Sequence, residues 1–219
     1  MRIEVIVFDW DGTLVNSAAD IVGAMQKASA ALGIPAPDAT QMRRAIGLGL
    51  AEAFARIFPD CSKAEREQLM QRYSEHYRSL PMTVHGRPFA GVPTMLQGLH
   101  AGGYTLAVAT GKSRAGLDRS LSAVSFAGLF KATRTADESA SKPDPLMLDQ
   151  LSVQLCVEPE AMLMVGDTTF DMEMAQRFGC PAVGVGWGVH EPGELLEAGA
   201  LTVMEDLNLL PGWLAGRGQ

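Results

Sequence analysis

Three segments of this 219-residue chain place acidic or hydroxyl side chains directly after short apolar runs. Residues 3–8 run into Asp9-Trp10-Asp11-Gly12-Thr13, residues 104–109 into Thr110-Gly111, and residues 161–165 into Gly166-Asp167. Two carboxylates at i and i+2 leaving a strand point to the same side, so Asp9 and Asp11 can face one ligand. Their repulsion calls for a cation or a shared proton. A hard, oxygen-seeking Mg2+ meets that need, with Asp167 as a further oxygen ligand. Asp171, one helical turn on, can orient a water or a nearby lysine. In such surroundings a carboxylate attacks phosphorus well. Asp9 is then the nucleophile that forms an aspartyl-phosphate. Asp11 protonates the leaving oxygen and later takes a proton from the attacking water. Thr110, through its hydroxyl and the following N–H of Gly111, and Lys142, through its charge, hold the transferring group. Pro143 biases Lys142 towards an extended backbone.

These groups need a scaffold that gathers strand ends. A fourth apolar run, residues 181–185, ends in Gly186, and helical spacing separates the runs, as in Val92, Met95, Leu96, Leu99 and in Leu146, Leu148, Leu151, Leu155. Strands alternating with helices predict an α/β fold, a doubly wound and mainly parallel sheet. Its ligand site lies beyond the carboxyl ends of the strands. Residues 16–85 break the alternation: Ile21, Met25, Ala28 and Leu32 form one helical stripe, and 41–57 and 63–80 are helical in period, punctuated by Pro35, Pro37 and Pro59. The expectation is a core of residues 1–15 and 86–219 with a helical cap of 16–85 over the site. The glycine-rich tail (Gly212, Gly216, Gly218) is expected to fray.

The formal charge of −7 repels polyanions, which argues against nucleic-acid and anionic-membrane partners. Cys61, Cys156 and Cys180 are odd in number and form no CxxC, against a disulfide framework or a zinc site and for a reducing cytoplasm. The N-terminal apolar run stops at Asp9, too short for a signal core, and no run reaches the ~18 apolar residues of a membrane span. A soluble, untargeted cytoplasmic protein is expected, monomeric or homodimeric. His76, His85, His100 and His190 lack the mutual spacing of a metal cluster, and Gly184-Val185-Gly186-Trp187-Gly188 lacks dinucleotide-loop spacing.

In order and spacing, Phe8-Asp9-Trp10-Asp11-Gly12-Thr13-Leu14, Ala109-Thr110-Gly111-Lys112, Ser141-Lys142-Pro143-Asp144-Pro145 and Gly166-Asp167-Thr168-Thr169-Phe170-Asp171 resemble the four motifs of haloacid dehalogenase-type phosphatases. The resemblance spans nearly the whole chain, and the helical insertion is similar to the small cap of the phosphoglycolate phosphatase group. It implies a Mg2+-dependent hydrolase of small phosphomonoesters. Asp9 and Asp167 would be metal ligands, Asp11 a ligand through its backbone carbonyl, and Gly12 and Gly111 substrate neighbours. Two positions depart from the pattern. Trp10 stands where leucine is usual, which bears on packing, and Gly111 replaces a common asparagine, which removes a contact near the substrate.

The cap segment Arg43-Arg44-Ala45-Ile46-Gly47-Leu48-Gly49-Leu50 resembles that group's specificity loop, so Arg43 or Arg44 is expected to bind a substrate carboxylate or distal phosphate. Leu50 stands where the sugar-phosphate mutases carry arginine, and no lysine lies between Lys27 and Lys63 for a phosphonate-cleaving Schiff base. A phosphotransferase or mutase within the same chemistry stays open. So do a phospho-receiver that holds its phosphoryl group and a metal-independent dehalogenase. Phosphoglycolate, sugar phosphates, pyrophosphate or a nucleotide all remain compatible substrates.

Overall fold

The computed structural model describes residues 2–217. In chain order they form β1 (Val5–Phe8), α1 (Ala18–Leu32), α2 (Ala39–Arg43), α3 (Leu50–Ile57), α4 (Lys63–Ser79), α5 (Met82–His85), α6 (Val92–Ala101) and β2 (Thr105–Thr110). There follow α7 (Arg114–Ser122), β3 (Phe130–Thr135), α8 (Leu146–Leu155), β4 (Met162–Gly166), α9 (Thr169–Phe178), β5 (Ala182–Val185), α10 (Pro192–Glu197), β6 (Val203–Met204) and α11 (Leu210–Arg217).

The six strands form one parallel sheet in the order β3-β2-β1-β4-β5-β6. β1 therefore sits centrally, and its residues alternate between two buried faces. Ile6 and Phe8 enter a cluster with Leu96 of α6, Leu117 of α7 and Leu214 of α11. Val5 and Val7 enter another with Leu148 of α8, Met172 of α9 and Leu195 of α10. Burial on both faces is why β1 and β4 read as unbroken apolar runs. Each fully buried side chain of this size stabilises the fold by about 1.5–3 kcal/mol. The strand order reverses between the adjacent parallel strands β1 and β4 in the middle of the sheet, so the loops that carry Asp9 and Asp167 emerge side by side.

Helices α1–α4 build a third apolar cluster. The stripe Ile21, Met25 and Ala28 packs with Met42, Phe54, Leu69 and Tyr77, with Leu32 partly buried against it. A Ser62–Glu65 capping box starts α4, satisfying backbone donors that the first turn leaves free. The connections between these helices and the sheet run adjacent: Asn16 N–H donates to Arg87 O (2.9 Å), and Phe89 N–H to Leu14 O (3.0 Å). Arg87 also pairs with Asp20 at 2.6 Å.

The sheet holds two strands absent from the sequence reading. β3 is an edge strand whose Lys131 and Arg134 interrupt its apolar residues, and β6 is two residues long. The expected fraying of the tail is corrected at Gly212 and Gly216. Both lie in α11, anchored by Leu210 and Leu214 in the core, while Gly218 lies outside the described residues. Trp10 is fully buried against Phe126 and Phe130, its Nε1–H donating to Ser120 Oγ at 2.7 Å. No helix among the described residues is long and apolar enough to cross a membrane.

Candidate active site

Carboxylate oxygens of Asp9, Asp167 and Asp171 lie within 4.8 Å of one another, all three side chains buried. Strand ends supply the first two. Asp171 arrives through the start of α9, where Thr168 caps the helix and accepts from Asp171 N–H, while Asp171 Oδ2 accepts from Thr168 N–H (3.1 Å) and Oγ1 (2.8 Å). That reciprocal cap fixes the Asp171 rotamer and leaves Oδ1 for Lys142. Lys142 Nζ donates to Asp9 Oδ1 and Asp171 Oδ1, both at 2.6 Å, with the ammonium fully buried. Asp167 is held by Thr13 Oγ1–H (2.7 Å) and Val189 N–H (2.9 Å). Gly12 and Gly188 both press against it. A Cβ at either position would overlap Asp167, and Gly12 also has φ +88°.

Electrostatics follow from crowding. Burial pushes the Asp9 carboxyl well above its ordinary range; Lys142 opposes this, and Asp171 and Asp167 add to it. Asp167 is pushed up to about 7, first by burial and then by Asp171. Burial alone would lower the Lys142 pKa, but Asp171 and Asp9 together hold it above the ordinary lysine value. Asp9 Oδ2 is buried with no hydrogen-bond partner. A buried anionic oxygen without a partner is costly. Three converging carboxylates with one orphan oxygen therefore fit a divalent, oxygen-seeking cation.

Asp11 stands apart from this group. Its Oδ1 accepts from Ser17 Oγ–H (2.6 Å) and Lys112 Nζ (3.0 Å), and its Oδ2 from Lys112 Nζ (2.8 Å). The carboxylates brought together are thus 9, 167 and 171, with that of Asp11 turned to a lysine of its own. Lys112 also lies 5.0 Å from the centroid of the Tyr77 ring. Burial opposes its charge, but Asp11 raises its pKa above the ordinary value.

Thr110 is buried at the end of β2, and its Oγ1 accepts from Lys112 N–H at 3.3 Å. Asp9, Asp11, Thr110, Gly111 and Lys112 open into a cavity of about 330 Å3 walled on the far side by α1, α3, α4 and the 45–48 loop. Gly111 is where that loop closes on the sheet. A Cβ there would overlap the carbonyls of Gly47 and Leu48, so the asparagine common at this position could not fit without moving the loop.

Arg43 and Arg44, expected as substrate ligands, point elsewhere. Arg43 Nη2 donates to Gly188 O (2.6 Å), and Arg44 pairs with Glu194 (2.5 Å), so both tie the helical segment to the 188–194 region and neither lines the cavity. The cavity is instead lined by Arg78, His85 and Arg119 beside Tyr73 and Tyr77. The sequence carries no local signal for these, because α4, α5 and α7 meet only in the fold. Lys112 was legible as the residue after Thr110-Gly111, without a role.

Comparison with known proteins adds an independent line. The model of a family described as haloacid dehalogenase-like hydrolase matches residues 6–185. The chain is 35% identical over 211 residues to "Probable phosphatase IndB" of Dickeya dadantii (strain 3937), covering 94% of this chain and 91% of that one. It is 31% identical over 196 residues to the phosphoglycolate phosphatase of Thiobacillus denitrificans (strain ATCC 25259 / T1), covering 87% and 86%. The crystal structure of a predicted phosphoglycolate phosphatase from Haemophilus somnus 129pt superposes with a TM-score of 0.87 over 97% of this chain and 98% of that one; at 23% identity it speaks to the fold.

Proposed function

The chain belongs to the haloacid dehalogenase-like hydrolases and is a phosphoric monoester hydrolase, and from that premise we propose that it hydrolyses a small phosphomonoester with Mg2+ through a phosphorylated Asp9. The observation that carries this is the buried group of Asp9, Asp167 and Asp171 around Lys142, with Asp9 Oδ2 left unpartnered. Asp9, Asp167 and the Asp11 backbone carbonyl would hold the metal, which when bound neutralises phosphoryl charge and lowers the cost of bringing an anionic nucleophile to an anionic substrate.

The chain's own groups perform the rest. An Asp9 carboxylate oxygen attacks phosphorus, the P–O bond to the leaving group breaks, and that oxygen takes a proton from the Asp11 carboxyl. Water then attacks the phosphorus of the aspartyl-phosphate, Asp11 takes its proton, and inorganic phosphate departs with Asp9 regenerated. Both Asp11 oxygens are engaged by Lys112, so serving the leaving oxygen requires release of at least one of those bonds. Lys142, the Thr110 hydroxyl and the Gly111 N–H hold the phosphoryl oxygens; the Gly12 N–H, expected beside them, is given to Val15 O (2.9 Å) instead. Asp171 keeps Lys142 in place. The α1–α4 helices act as a cap over core residues 1–15 and 86–219, excluding water from the intermediate.

Phosphate release from p-nitrophenyl phosphate tests this. Activity should require Mg2+, vanish with EDTA and return on adding metal. Asp9→Asn should lose on the order of 10^4-fold or more, the scale of removing a covalent nucleophile. Retained turnover in Asp9→Asn, or indifference to EDTA, would overturn the mechanism.

A further inference from the structure

The cavity that spans the phosphoryl site and the space under the helices is larger and less polar than a phosphoryl group with a two-carbon leaving group needs. At about 330 Å3 it holds the volume of roughly ten waters. Ile21, Met25, Ile46 and Leu50 wall one side, and the stacked rings of Tyr73 and Tyr77 (centroids 5.7 Å apart) wall another. Apolar walls of this extent gain free energy only when an apolar body displaces water from them.

Part of the cavity lining is polar. Arg119 Nε is buried without a hydrogen-bond partner, and among the described residues no ion pair involves this guanidinium. His85, 1% exposed, also lines the cavity and has an unpartnered Nε2. The helices that carry them are joined. Ser120, beside Arg119 on α7, accepts from Trp10 Nε1–H and donates to His85 O, so α7 and α5 are locked together through the core. A half-buried cation that no protein carboxylate neutralises, in a chain of net charge −7, has hydrogen-bonding capacity left for an anion.

We propose that the substrate's leaving group has a ring-sized apolar body ending in a carboxylate, with the body against Tyr73 and Tyr77 and the carboxylate on Arg119. This deepens the phosphatase reading and rests on it. His85 adds a hydrogen bond to the same group, and Arg78, which also lines the cavity, adds positive charge.

The test compares three alkyl phosphomonoesters in the Mg2+-loaded enzyme: phosphoglycolate (acid without a ring), benzyl phosphate (ring without an acid) and 4-carboxybenzyl phosphate (both). The expected kcat/KM for 4-carboxybenzyl phosphate exceeds each of the others at least tenfold, mainly through KM. Arg119→Gln should lower kcat/KM for 4-carboxybenzyl phosphate at least tenfold more than for benzyl phosphate, and Arg119→Lys should restore part of the preference. Benzyl phosphate turnover reports that the variants are folded. Equal or better use of phosphoglycolate or benzyl phosphate by the wild type, or a uniform loss in Arg119→Gln, would overturn the inference. So would failure on all three esters while p-nitrophenyl phosphate is hydrolysed in an Asp9-dependent way, and the phosphatase mechanism would then stand. Failure on p-nitrophenyl phosphate as well would remove both.

Discussion

Asp9 and Asp11 are two residues apart in sequence, yet their surroundings differ in charge balance. Around Asp9, three buried carboxylates meet Lys142 and leave an oxygen unpartnered. Around Asp11, one carboxylate meets Lys112 with both oxygens engaged, and the pair opens into the cavity. The first region is short of positive charge, which is what the proposed divalent cation would supply. The second is balanced, as would suit the proton exchange proposed for Asp11. Proximity in sequence does not set electrostatic role; the partner supplied by a distant strand end does.

Removing the ammonium from the deficient region should produce the larger structural effect. Lys142→Met leaves three carboxylates buried without their counter-charge, and breaking a buried pair of this kind costs about 3–5 kcal/mol. Thermal melting with and without Mg2+ should show a large fall without metal that is at least halved with it. Equal falls in both conditions would mean the carboxylates do not share a cation.

In the balanced region, Asp11→Asn should lower kcat by about 10^2–10^4-fold, the range for a general acid/base. Its cost in stability should be smaller, about 1–3 kcal/mol, because Lys112 keeps its contact with the Tyr77 ring and access to the cavity. Urea unfolding of both variants side by side checks the contrast. A stability loss in Asp11→Asn as large as in Lys142→Met would erase it.

The smallest effect belongs to the tether between the helical segment and the 188–194 region. The Arg44 hydrogen bond holds the Glu194 carboxyl down at about 2 from an ordinary value near 4.5. A depressed carboxylate stabilises the fold above its unfolded pKa, and that contribution is lost as pH falls from about 4.5 towards 2. Both side chains are partly exposed, so screening keeps the contribution below about 1 kcal/mol. Glu194→Gln should therefore differ from the wild type in denaturant midpoint at pH 7, and the difference should shrink by pH 3. A difference independent of pH would assign the effect to packing.

Much of this was legible in the chain itself. Four of the six strands are apolar runs, because β1 and β4 are buried on both faces, and the helical stripes match the clusters they form. Edge strand β3 escaped because a strand exposed on one side tolerates Lys131 and Arg134, and two-residue β6 is shorter than any periodicity. Arg43 and Arg44 escaped for another reason: a long cationic side chain at a helix end pairs with whatever the fold brings near, here Gly188 O and Glu194.

The sequence by itself determined which atoms are available for chemistry and that strand ends present them, because residue type sets nucleophilicity and charge while local periodicity sets strand and helix. Only the tertiary structure decided that Asp171 joins Asp9 and Asp167, that Asp11 has Lys112 to itself, and that Arg119 and His85 line the same cavity. Apart from Asp167 and Asp171, four positions apart, those pairings join residues from about 30 to well over 100 positions apart, and at such separations a side chain's partner is set by how sheet and helices pack.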